Sequence, residues 1–195
     1  MDFNSIEERL ERLYSAIDER ADVDLQKHVR VKLVGTPGKE PFEAKISFDG
    51  VEDRAGKSRV IISINENLAN LKDNLKNRLG ARRELVEEFI DTNVALQLLI
   101  DLANANKHGY PLTRTERSGR SPRLENIGCS CVVPPGETFG INLKSGQVIG
   151  SEKCRIEITA DVVDKAGEPI CKWSSLINDA IEGWETFMRQ HNISS

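Results

Sequence analysis

Asp101, Asn104, Lys107 and His108 are the candidate site residues, and among them His108 and Lys107 are the types that proton transfer beside a phosphate requires. Histidine titrates near neutral pH, so His108 suits removal of a proton such as that of an RNA 2′-hydroxyl, and Lys107 supplies a cation against phosphate charge. Gln97, Asp101, Asn104 and His108 share an arc roughly 60° wide on a helix over Asp91 to His108. Val94, Ala95, Leu96, Leu98, Leu99, Ile100, Leu102, Ala103 and Ala105 cover about two thirds of its circumference, which marks a largely buried helix. Asp101 and His108 stand two turns apart and meet only through Asn104 or a water. The same polar line has a structural reading, in which Asp101, Asn104 and His108 cap the helix end and tie it to a neighbouring sheet, as buried polar groups must be tied to something.

Arg114, Arg117, Arg120 and Arg123 recur every third residue just beyond the helix, with Glu116 opposing them. Such a segment, rich in Ser, Thr, Gly and Pro, reads as a mobile solvated loop; its alternative reading is a phosphate-binding arm. The whole chain carries 27 Lys and Arg against 31 Asp and Glu, a net charge of −4, so any binding of nucleic acid must come from a local patch. RNA at this loop, another protein or a second copy are therefore the partner classes. The acidic, amphipathic start MDFNSIEERLERL has no apolar signal region and no stretch approaches a membrane span, so a cytoplasmic protein without membrane attachment is expected.

Cys129, Cys131, Cys154 and Cys171 lack the CxxC spacing of a zinc ribbon and have no His close by in sequence, so they are read as reduced, metal-free thiols. No Walker loop, GxGxxG, HExxH or GxSxG motif occurs, which disfavours most enzyme classes with a readable signature and implies no cofactor.

The elements that must position these residues follow from periodicity. Helical spacing predicts an N-terminal helix over residues 1–20. Alternation at Val29 to Leu33 and Phe42 to Phe48, with the β-branched run Val60 to Ile64, predicts a three-stranded antiparallel meander over 28–64, in which Val51 to Ser58 is a solvated connection. A helical hairpin follows over 65–108: Ser63 and Glu66 form a capping box, Leu68, Leu71, Leu75 and Leu79 recur at helical spacing, Gly80 ends the arm, and Asp91, Thr92 or Asn93 caps a fresh start. The Arg-rich loop takes 109–127 and a β-rich segment 128–171, with a turn at Gly146 to Gly150. A closing amphipathic helix over 172–191 buries Trp173 and Trp184. The expected architecture is one α+β domain, a central helical hairpin with antiparallel strands before and after it.

The run LLIDLANANKH, Leu98 to His108, resembles a helix-terminal Asp-x-Ala-Asn-x-x-Lys-His pattern of uncharacterised bacterial and phage proteins, likewise followed by a strand-turn-strand unit and a Trp-bearing helix. A more distant likeness is to the HEPN superfamily, many of whose members are RNA-cleaving toxins and antiviral effectors. Their motif is an Arg, a polar residue, three further positions and a His; Asn104 and His108 match, and Ala103 stands where the Arg belongs. The likeness implies an RNA-directed protein using His108, with positive charge from Lys107, Arg114 or Arg117. The missing Arg favours the other reading, a non-catalytic interaction module.

Overall fold

Buried Ile61, Ile64, Leu68, Leu71 and Leu75 recur at three- and four-residue intervals and form the inner stripe of helix α1, Arg54–Leu79. The computed structural model describes residues 29–34, 43–48, 54–112, 116–133, 135–136, 139–142, 148–150 and 155–193. The helix expected over 1–20, Arg114 and Cys154 lie outside them. The fold is α+β, and the chain falls into two compact units, one of Met1–Leu13, Ser58–Ile127 and Thr159–Ser195, the other of Tyr14–Lys57 and Gly128–Ile158.

In the second unit β1 (Val29–Val34) and β2 (Glu43–Phe48) pair antiparallel, with Val29 opposite Phe48 and Val34 opposite Glu43. The third strand of the expected meander does not form. Val60 to Ile64 lies inside α1, and so does most of the expected connection Val51 to Ser58. The apolar stripe that begins at Ile61 continues in helical register through Leu75, so the helix period overrides the β-branched preference. Ser63 consequently sits in the helix interior, where its Oγ accepts from Asn67 Nδ2 at 3.5 Å, and is no cap. Strands β4 (Phe139–Ile141) and β5 (Val148–Gly150) pair antiparallel; the expected turn at Gly146 to Gly150 is in part a strand.

In the first unit, Gly80 at φ 55° adopts the left-handed conformation that ends α1, and a short 3-10 turn leads to α2 (Glu84–Thr92). Glu84 and Glu87 fall in the first turn of α2, where the helix dipole favours negative charge. Helix α3, Val94–His108, starts afresh at Asn93, whose Oδ1 accepts from Leu96 N at 3.1 Å. Its apolar arc is buried from Leu96 to Ala103, but Val94, expected on that arc, is 57% exposed.

Helix α4 (Trp173–Gln190) buries Leu176, Ile177, Ala180, Ile181, Trp184, Phe187 and Met188. Trp184 Nε1 donates to Leu68 O at 3.1 Å and Trp173 Nε1 to Asn65 Oδ1 at 2.9 Å, so both indoles belong to the core and hold α4 against α1. Gly183 lets α4 pass α3 closely: a Cβ there would lie 2.8 Å from Asn93 Nδ2 and 3.5 Å from Leu96 Cγ. A three-stranded sheet in the order β3, β6, β7 completes the architecture, from β3 (Arg123–Val132), β6 (Arg155–Val163) and β7 (Pro169–Lys172), the last two antiparallel. Arg123 to Ile127, expected in the loop, begins β3. No helix among the described residues is long and apolar enough to cross a membrane.

Candidate functional site

Asp101 is fully buried in the middle of α3. A carboxylate removed from water is costly unless its oxygens are occupied, and here the chain supplies donors from the loop that follows the helix. Oδ1 accepts from Arg117 N at 2.8 Å, and Oδ2 accepts from Ser118 N at 2.8 Å and Ser118 Oγ at 2.7 Å. Two consecutive backbone N–H groups and a hydroxyl thus converge on one carboxylate, a strong, charge-assisted arrangement. The loop is folded on itself as well. Ser118 Oγ accepts from Arg120 N at 3.3 Å, and the Glu116 carboxylate accepts from both the backbone N and the Oγ of Ser121.

The arginines serve this loop in different ways. Arg117 donates Nη1 to Asp91 Oδ1 at 3.2 Å and Nη2 to Glu87, which also accepts from Lys76. A ladder of alternating charge, Lys76, Glu87, Arg117 and Asp91, therefore links α1, α2 and the loop. Partial burial works against the charge on Glu87, but the hydrogen bonds from Lys76 and Arg117 outweigh it and hold its carboxyl below the usual range. Arg123 pairs with Glu125 at 2.7 Å, lies 5.9 Å from the Tyr110 ring centroid, and donates Nη1 to Lys165 O at 3.4 Å. Its guanidinium is raised further, first by Glu125 and then by the Tyr110 hydroxyl. Tyr110 donates its hydroxyl to Ser121 O at 3.2 Å. Arg120 is exposed, and its backbone oxygen accepts from Lys165 N at 3.2 Å. The segment from Glu116 to Pro122 is tied by these bonds to α3, to α2 and to itself.

The polar line of α3 is divided along its length. Gln97 Nε2 donates to Ile90 O at 3.1 Å and Asp91 O at 2.7 Å, closing the α2–α3 junction. Asp101 is buried, Asn104 is half-buried and engaged, and His108 stands exposed at the helix end. Lys107, also exposed, donates to Asn70 Oδ1 of α1 at 3.3 Å. The line thus ties the helix to α2 and to the loop at Gln97 and Asp101, and leaves His108 outside that network. Ser118, Tyr110, Glu87, Asp91 and Lys76 are the participants that the sequence reading missed. For Glu87 and Asp91 a signal exists, since carboxylates four apart on a helix share a face.

Cys129 and Cys171 are half-buried free thiols. Burial pushes both up, with Lys57 opposing it at Cys129, and at Cys171 Asp179 adding to it and Arg120 opposing it. Among the described residues no group of three or more His, Cys, Asp or Glu could hold a metal ion. What the fold and this site define is an α+β protein whose central helix anchors an arginine-bearing loop on a buried carboxylate. No protein-family model, curated protein or solved structure matches the chain.

Proposed function

We propose that this protein is a non-catalytic binding module whose central helix holds and presents the loop from Glu116 to Pro122. One observation carries the reading: both oxygens of Asp101 are committed to the backbone and hydroxyl of that loop, in a fully buried position. A buried carboxylate holding three donors of the loop is engaged in the fold, which takes the best candidate for a second catalytic group away from chemistry beside His108. Arg117, which the HEPN likeness would turn toward a phosphate, is engaged with Glu87 and Asp91 instead.

The competing reading, an RNA-cleaving protein that uses His108 and Lys107, draws on their exposure side by side at the end of α3. One experiment separates the two. The full chain and its His108→Ala variant are incubated with labelled single-stranded and hairpin RNA, and the products resolved on a gel. The binding-module reading expects no cleavage above buffer from either protein. Cleavage by the wild type that His108→Ala abolishes would overturn it.

A further inference from the structure

Helix α2 begins on a residue that its own chemistry disfavours. A helix start prefers a side-chain acceptor at the cap and negative charge beside it. The cap of α2 is Arg83, which makes no side-chain cap bond, and Arg82 stands directly before it. Neither arginine serves the fold at that position. Arg78, in the last turn of α1, does suit a helix C-terminus, and it too is exposed.

From Lys76 to Arg83 the chain reads KNRLGARR, with four cations and no carboxylate. Lys76 is taken by Glu87. Arg83 Nε lies 3.4 Å from Glu84 Oε1, but the two side chains are 70% and 66% exposed, so water screens the pair and an incoming anion can replace it. Among the described residues no carboxylate pairs with Arg78 or Arg82, and both are exposed. Gly80 reverses the chain between them at φ 55°, and Arg83 N donates back to Gly80 O at 3.3 Å, which keeps the three arginines within one turn of the backbone. A Cβ at Gly80 would meet nothing within 4 Å, so the outer side of this turn is open.

A surplus of guanidinium at one open corner of a chain whose net charge is −4 marks a local site for a polyanion. The surroundings choose its class. A membrane surface needs apolar groups to insert, and a protein interface needs an apolar centre. The large hydrophobic residues exposed among the described residues are Val94, Tyr110, Val133 and Ile149, and none belongs to this corner. Single nucleic-acid strands are held in large part by stacking on aromatic rings, which residues 76 to 84 lack. The backbone of a duplex asks for cations alone. We propose that the corner formed by Arg78, Arg82 and Arg83 binds the phosphate backbone of a nucleic-acid duplex without reading its sequence. This surface goes beyond the binding-module reading, which concerns the loop from Glu116 to Pro122, and the two can fail separately.

The test is titration of the full chain into a labelled short DNA duplex of mixed sequence, and into its RNA counterpart, at several salt concentrations. Each phosphate neutralised on duplex DNA contributes about −0.9 to the slope of log K against log salt, so three contacts predict binding about fortyfold weaker at 200 mM than at 50 mM salt. In Arg78→Gln/Arg82→Gln that dependence should fall to about threefold or fourfold, and affinity at the lower salt should drop by at least about tenfold. Arg78→Lys/Arg82→Lys, which keeps the charge, should bind within about threefold of wild type, and so should Arg189→Gln, an exposed arginine of α4 bound to Thr186. DNA and RNA duplexes should bind alike, since nothing in the corner reads the sugar. Absent or salt-insensitive binding to both duplexes, or equal binding by Arg78→Gln/Arg82→Gln and wild type, would overturn the proposal. So would binding to phosphatidylserine vesicles, or to a single strand, without binding to either duplex.

Discussion

Replacing Asp101 with Asn preserves the shape of the side chain and removes its charge. In the native structure three donors converge on the carboxylate at 2.7 to 2.8 Å. An Asn keeps one accepting oxygen. Turned toward Ser118, that oxygen still serves Ser118 N and Oγ, but the amide NH2 then faces the N–H of Arg117, donor against donor. Turned the other way, two bonds are lost. Hydrogen bonds to a charged partner contribute about 1.5 to 3 kcal/mol each, so losing at least one and weakening the others should cost about 2 to 4 kcal/mol. For a chain of this size that corresponds to a fall in Tm of about 5 to 15 °C. Urea titrations of wild type, Asp101→Asn, Ser118→Ala and the double variant measure the loss and the coupling together. The two substitutions should be non-additive, since Asp101→Asn removes the charge that strengthens the bond Ser118→Ala deletes. A loss below about 1 kcal/mol, or strict additivity, would show that the carboxylate does not hold the loop as described.

Further tests bear on the surrounding structure. Gly183→Ala should destabilise by about 1 to 2 kcal/mol, the overpacking against Asn93 and Leu96 outweighing the gain in helix propensity, and the penalty should shrink in an Asn93→Ala background, where the nearest atom is gone. His108→Ala should change stability by no more than about 0.5 kcal/mol in thermal melts, because the side chain is exposed; a loss of about 2 kcal/mol would return it to the structural network. The carboxyl of Glu87 is lowered in the folded state, so its contribution is complete above the ordinary value of 4.5 and is lost as pH falls through the folded value. The stability advantage of wild type over Glu87→Gln should therefore be constant near neutral pH and shrink in acid, and a pH-independent difference would contradict the ladder.

How far the sequence discloses this molecule depends on the range of each interaction. Helices α3 and α4 are legible because their apolar residues repeat with an uninterrupted helical period, from Leu96 to Ala103 and from Trp173 to Met188. The same rule was available for α1, but the β-branched run Val60 to Ile64 matched a strand locally, and only its continuation through Leu68 and Leu75 shows the helix. Asp101 was legible as an unusual residue on a buried helix. Its partners were not, since Arg117 and Ser118 lie in a segment with no periodicity, and composition alone gives that segment no reason to be ordered. Arg117 looks from the sequence like a cation available to phosphate for the same reason: its carboxylate partners Glu87 and Asp91 stand well before it in the chain.

The claim that Asp101 belongs to the fold is tested most directly by hydrogen exchange at the two backbone amides it holds. In the native protein the Arg117 and Ser118 amide protons, followed by NMR, should exchange far more slowly than those of an unstructured loop, and Asp101→Asn should release both while leaving the amides of α4 protected. Exchange of the wild-type Arg117 and Ser118 amides at the rate of a free loop would contradict the account, and would return Asp101 to the candidates for chemistry beside His108.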